Sequence, residues 1–137
     1  MTKSENTGSQ EETDRFTPRF DENGLMPCMA VDTRTGAALM LAWVNAQAIE
    51  ATLNTGFAHY WSRSRGTLWK KGESSGALQQ IIEIRTDCDQ DALVYKVTPQ
   101  RRDDTCHTGR QTCFYRILAR DGDGISLIFD SQAETGP

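Results

Sequence analysis

The chain has no apolar run long enough to cross a bilayer. Its longest, Ala37 to Val44, falls far short of the roughly 20 residues that a spanning helix needs. It has no basic surplus either: 15 Lys and Arg stand against 19 Asp and Glu, giving a net charge of −4 and a pI near 5.1. That balance argues against a nucleic-acid partner, which calls for a basic surface. It leaves room for a phosphorylated small molecule, which needs only a local basic patch. Walker A and dinucleotide glycine fingerprints are missing. So is the His-x-Glu and Pro-Cys-x-x-Cys signature of the zinc deaminases, since His59 is followed by Tyr60-Trp61 and Pro27-Cys28 by Met29-Ala30-Val31. The N-terminus lacks the apolar core of a secretory signal. Four cysteines without such a signal point to a reducing, cytoplasmic setting, where metal binding or catalysis is commoner than disulfides.

What is present reads as one domain of 137 residues. Residues 1–15 are polar and predict a disordered leader, and 131–137 a flexible tail, leaving 16–130 as the folded unit. Met29 to Asp32 and Ala37 to Val44 flank Thr35-Gly36 as a hairpin. Asn45 is an N-cap for a helix over Ala46 to Leu53, and Gly56 stands where a helix-ending glycine belongs. Strands are expected over Phe57 to Ser62, Thr67 to Lys70, Leu78 to Arg85 and Ala92 to Val97. A last pair, Gln111 to Ala119 and Ile125 to Phe129, surrounds a turn at Asp121 to Gly124. One main helix among some seven closely spaced strands predicts an α+β domain with a predominantly antiparallel sheet.

The chemistry concentrates in Asp87-Cys88-Asp89-Gln90-Asp91, directly after a strand-like run. If the strand continues, alternation places Asp87, Asp89 and Asp91 on one face and Cys88 on the other. Three like charges together suit a hard cation such as Mg²⁺. The thiol suits a softer metal once more sulfur or imidazole arrives. Candidates lie downstream in Cys106-His107-Thr108-Gly109 and Cys113. Any single cysteine is more often packing, as Cys28 beside Pro27 is read here, but Cys106 sits among polar loop residues where a core thiol rarely does. Three thiolates on zinc leave a tetrahedral position open, where the pKa of water falls from about 15.7 toward about 7. His107 adjoins this group, and His59 shares a predicted aromatic strand face with Phe57 and Trp61. Either imidazole can move protons near neutral pH. Arg63, Arg65, Lys70 and Lys71 precede a loop with Ser74 and Ser75, a combination fit for phosphate oxygens.

The runs His59-Tyr60-Trp61-Ser62-Arg63-Ser64-Arg65, Leu68 to Gly76, Asp87 to Asp91, and Cys106-His107-Thr108-Gly109 with Cys113-Phe114-Tyr115 resemble phosphoribosyl-AMP cyclohydrolase of histidine biosynthesis. The likeness spans about Gly24 to Tyr115. It implies hydrolytic opening of an adenine ring whose nitrogen 1 carries a second ribosyl phosphate. It further implies an intertwined homodimer with zinc and Mg²⁺: zinc on Cys88 of one subunit and Cys106 and Cys113 of the other, Mg²⁺ on Asp87, Asp89 and Asp91. His107 or His59 would handle protons, and Arg63, Arg65, Lys70, Lys71, Ser74 and Ser75 would meet the phosphates. The short stretch after Tyr115 leaves no room for a second catalytic domain, so a monofunctional enzyme is expected. The competing expectation is a non-catalytic, zinc-stapled dimeric binding module.

Overall fold

The computed structural model describes residues 9–130. In chain order its elements are β1 (Met26–Asp32), β2 (Ala38–Val44), α1 (Ala46–Thr55), β3 (His59–Ser62), β4 (Thr67–Lys70), β5 (Gln79–Thr86), β6 (Leu93–Pro99), a 3₁₀ turn (Arg102–Asp104), β7 (Arg116–Asp121) and β8 (Gly124–Phe129). Six strands form one sheet in the order β4-β3-β2-β1-β6-β5, and β7 and β8 make a separate two-stranded ribbon. This is the expected α+β domain with a single α-helix among the described residues, and none of its helices is long and apolar enough to cross a membrane.

The centre of the sheet follows from period-two burial. Met26, Cys28, Ala30 and Asp32 of β1 point inward, as do Leu93, Tyr95, Val97 and Pro99 of β6. These two strands pair in parallel, with Cys28 opposite Leu93 and Ala30 opposite Tyr95, whereas every other ladder is antiparallel. The sheet is thus predominantly antiparallel, as expected, with this one parallel ladder at its centre. Parallel neighbours are joined by a long crossover, and no local turn announces them in the sequence. Beyond the ladder, the Ala58 amide donates to Gln79 O (2.9 Å) and Ile81 N–H to Gly56 O (2.8 Å), which curls the stretch before β3 onto β5.

The helix begins and ends as its sequence dictates. The Asn45 side chain accepts from the Ala48 amide at 2.8 Å, and Gly56 closes the last turn at φ 81°. Its face of Ala48, Ile49 and Thr52 meets a core that includes Met26, Cys28, Val44, Tyr60, Tyr95 and Val97. Thr52 ties the helix to β3: its hydroxyl donates to Ala48 O (2.8 Å) and accepts from the His59 amide (2.9 Å). Burial without a partner would cost each tyrosine hydroxyl about 1–3 kcal/mol. Tyr60 avoids that cost by donating to Gln79 Oε1 at 2.6 Å, and Tyr95 by donating to His59 O at 3.2 Å.

Two expected extended segments are not strands. Asp87 to Asp91 is a turn between β5 and β6, and Gln111 to Tyr115 is loop, so β7 starts only at Arg116. The tail at 131–137 and the first half of the leader lie outside the described residues. Within the remainder of the leader, Gln10 O and Arg15 O accept from the Gln90 side chain at 3.4 and 3.2 Å.

Candidate functional site

The acidic turn gathers its carboxylates by a route other than strand alternation. The Asp87 carboxylate accepts from the Asp91 and Ala92 amides at 3.0 and 3.2 Å, folding the chain back on itself. Gln90 takes φ 58°, the left-handed region that a non-glycine residue enters only when its surroundings hold it there. Its nearly buried side chain supplies that hold, accepting from the Thr17 amide at 2.7 Å, while its carbonyl accepts from Arg19 N–H at 2.8 Å. Asp87, Asp89 and Asp91 each then offer an oxygen within 4.8 Å of the others. Crowding shows in their protonation. Hydrogen bonds shared with Asp87 and Asp89 push Asp91 up to about 6. Asp87 is held below the usual carboxylate range: partial desolvation opposes this, but hydrogen bonds from Asp91 and Ala92 prevail. A cavity of about 510 Å³ opens beside Asp89 and Asp91, lined also by Arg19, Phe20, Pro27 and Trp43. The Arg63 guanidinium lies 4.5 Å from the centre of the Trp43 ring.

The second group of candidates forms around the loop between β6 and β7. The Cys106 amide donates to Arg110 O (3.0 Å) and Gly109 N–H to Cys106 O (2.8 Å), making a tight turn through His107 and Thr108. Cys113 is anchored by its amide on Leu39 O at 2.7 Å, and Thr112 by its hydroxyl on Ala38 O, also at 2.7 Å. Cys106 is buried, and its sulfur accepts from the Thr108 hydroxyl at 3.1 Å. Desolvation resists ionisation of Cys106, but Thr108, the Cys113 thiol and the Arg110 guanidinium together hold it below the usual thiol range. Cys113 keeps an exposed surface, yet loss of water around its sulfur, and then Cys106 itself, push its thiol up to about 11. Cys106 therefore ionises before Cys113. Lys71 stands close enough to feel Cys113, Asp104 and Cys106, and burial lowers its ammonium from the usual lysine range.

The basic residues that look like one cluster in sequence are separated by the β3–β4 hairpin. Arg63 and Arg65 occupy its turn, where Arg65 N–H donates to Ser62 Oγ at 3.2 Å. Lys70 lies at the other end opposite His59, with its ammonium 5.1 Å from the Phe57 ring, and Lys71 follows it toward the thiols. In the next loop Ser75 Oγ caps the Ala77 amide at 3.1 Å, and Ser74 is exposed. His59 is buried, with Nδ1 2.9 Å from Phe57 O. A carbonyl can only accept, so Nδ1 carries the proton and Nε2 is left as the basic atom. His107 is exposed on the Cys106 turn.

Three arginines escaped the sequence reading. Arg101 donates to Ser75 O at 3.1 Å, fastening the Ser74–Ser75 loop to the end of β6. Arg102 pairs with the buried Asp32 and, with Arg34, lines a cavity of about 220 Å³ that also includes Leu39 and Thr112. The Arg101-Arg102-Asp103-Asp104 run carried the only signal, and its mixed charge reads as an ordinary solvated loop.

Cys88 does not join the other two thiols. It is exposed on the acidic turn before β6, while Cys106 follows that strand, whose seven residues extend about 20 Å. Among the described residues the three aspartates are the one cluster of three or more candidate metal ligands.

A family model described as phosphoribosyl-AMP cyclohydrolase matches residues 40–115, a span that includes the acidic turn and both loop thiols. A protein of Rhizobium leguminosarum bv. trifolii carrying that name is 52% identical over 135 residues, covering 98% of this chain and 90% of that protein. One from Brucella anthropi with the same name is 54% identical over 125 residues, covering 90% and 88%. One from Rhizobium etli is 50% identical, covering 98% and 90%. The chain belongs to the phosphoribosyl-AMP cyclohydrolase family.

Proposed function

We propose that this chain is a cytoplasmic, metal-dependent hydrolase of histidine biosynthesis. Its substrate is N1-(5-phosphoribosyl)-AMP, opened at the bond between nitrogen 1 and carbon 6. The observation that carries the reading is the thiol pair: Cys106 is biased toward thiolate, Cys113 stands beside it and Lys71 lies near both. This donor set fits zinc, which takes thiolate sulfur, and the three clustered carboxylates fit Mg²⁺, which takes oxygen. Cys106 and Cys113, with Cys88 of a second copy, would hold zinc, which would supply Lewis acidity and lower the pKa of a water.

The chain's own residues do the remainder. One water is consumed: its oxygen bonds to carbon 6, the bond to nitrogen 1 breaks, and nitrogen 1 takes a proton. His107, exposed beside the thiols, delivers that proton, with His59 Nε2 as the alternative basic atom. Arg63 and Arg65 on one side, and Lys70 and Lys71 with the Ser74–Ser75 loop on the other, meet the two phosphates. Their separation suits a substrate with a phosphate at each end.

Mixing zinc-loaded protein with N1-(5-phosphoribosyl)-AMP tests this. The ultraviolet spectrum changes from purine to ring-opened imidazole carboxamide, and Cys106→Ala abolishes the change. A folded, zinc-bound protein with no spectral change rejects the hydrolase reading in favour of a zinc-stapled binding module.

A further inference from the structure

We propose that the ion pair between Asp32 and Arg102 is a positioning device for the thiols. It seats the start of the thiol-bearing loop on the β1–β2 hairpin and so sets where Cys106 stands relative to Cys113. The proposal rests on the reading of those two thiols as metal ligands. It adds what holds them together.

Both ends of the loop between β6 and β7 dock on one hairpin. At the far end the Cys113 amide donates to Leu39 O and the Thr112 hydroxyl to Ala38 O, each at 2.7 Å. At the near end Arg102, in the 3₁₀ turn four residues before Cys106, reaches Asp32 through Nη1. Asp32 ends β1, and its amide donates to Ala37 O at 2.9 Å. The preceding rung pairs Val31 with Ala38. The two fastenings therefore fall on neighbouring rungs of one ladder, and the hairpin acts as a common ruler for both thiols. The cavity of about 220 Å³ lies between them, with Asp32 and Arg102 in its wall on one side and Leu39 and Thr112 on the other.

Asp32 is suited to this task. It is only 4% exposed, and its Oδ1 accepts from the Arg34 amide at 2.9 Å, which shapes the hairpin turn. Oδ2 is left for Arg102. A carboxylate this buried is costly unless it is paired, and Arg102 is its one ion-pair partner among the described residues. The loop has little else to seat it here. Arg101 to Asp104 carry no apolar side chain, and no side chain caps the 3₁₀ turn. Arg101 fastens the segment to the Ser74–Ser75 loop, not to the hairpin. The ion pair alone ties this end of the loop to the element that anchors Cys113.

The test uses the full chain and four variants: Arg102→Ala, Arg102→Lys, the double variant Asp32→Asn with Arg102→Ala, and Arg34→Ala. The last removes the same charge from the same cavity wall but leaves the tether. Arg102→Ala strands a buried carboxylate, so its midpoint in urea unfolding should fall. The double variant removes that charge while an amide oxygen still accepts from the Arg34 amide, so its midpoint should recover. Zinc affinity separates position from stability. Competition with a chromophoric chelator should show zinc held about tenfold more weakly by Arg102→Ala and by the double variant. Arg102→Lys keeps a single-point contact and, like Arg34→Ala, should bind zinc as the parent does. Excess zinc should return turnover to the parent's level, because the ligands themselves are intact. A metal-free measurement keeps this apart from the underlying reading. Without the tether, alkylation of the buried Cys106 should quicken about tenfold relative to Cys113, which keeps its anchor on Leu39. A double variant that matches a zinc-binding parent in zinc affinity, or any parent in Cys106 alkylation, overturns the proposal and leaves the ion pair a stabilising contact only. A parent that binds no zinc but shows the alkylation contrast removes the ligand reading and keeps the positioning of the thiols.

Discussion

Gly72 shows how closely single residues bind this fold to its chemistry. It follows Lys71, takes φ 82°, and a Cβ built on it would lie 2.1 Å from the Ala77 carbonyl carbon. Gly72→Ala thus combines left-handed strain with a backbone collision that no side-chain movement relieves. It should destabilise by about 2–4 kcal/mol, read as a lowered midpoint in urea unfolding. Gly76→Ala meets only the Arg101 side chain, at 3.5 Å, and should cost about 1 kcal/mol. Equal effects would mean that the collision at Gly72 is absorbed. The thiols offer a second residue-scale contrast. Cys106 is held below the usual thiol range and Cys113 lies at about 11. In metal-free protein the alkylation rate of Cys113 should therefore keep rising with pH to about 11, while that of Cys106 levels off at a lower pH whatever its access, since only the thiolate reacts. Mass spectrometry of time courses across pH reads both profiles, and coincident profiles would show that the two sulfurs are not so divided.

At the scale of elements, the strands and α1 were legible because each carries a local signal. Alternation marks β1 and β6, and Asn45 and Gly56 bracket α1. The acidic turn was legible in composition but not in conformation. Extending strand alternation through Asp87 to Asp91 puts the carboxylates on one face, and they do converge, but through a turn that depends on Gln90. Gln90 reads as a spacer because its partners, Thr17 and Arg15, lie more than seventy positions away and carry no periodic signal. Its role is testable. Gln90→Ala removes the contacts to Thr17, Arg15 and Gln10, so amide exchange across residues 10–19 should quicken by about tenfold while the amides of β1 and β6 keep their protection. Uniform loss of protection would instead mean that Gln90 supports the whole fold.

For the whole molecule, what the sequence withholds is distance. Cys88, Cys106 and Cys113 look like one ligand set along the chain, but β6 separates the first from the other two by about 20 Å. Arg63 and Lys70 look like one basic patch, yet they stand at opposite ends of a hairpin. The parallel β1–β6 ladder was hidden for the same reason, because pairing across a long crossover leaves no mark at either strand. A site divided in this way couples metal binding to association. If Cys88 of one copy completes the zinc site of another, zinc binds the dimer and not the separated chains. It then stabilises the dimer by RT ln(1 + [Zn]/Kd) per site, about 2.7 kcal/mol when free zinc is a hundredfold above its dissociation constant. Chelation should therefore raise the dimer dissociation constant by about two orders of magnitude per site. Cys88→Ala should abolish this zinc dependence while leaving the metal-free dissociation constant unchanged, because Cys88 is exposed and supports no packing in its own chain. Sedimentation of both proteins, with and without chelator, measures all four constants. A dimer that ignores zinc would leave Cys88 outside the metal site.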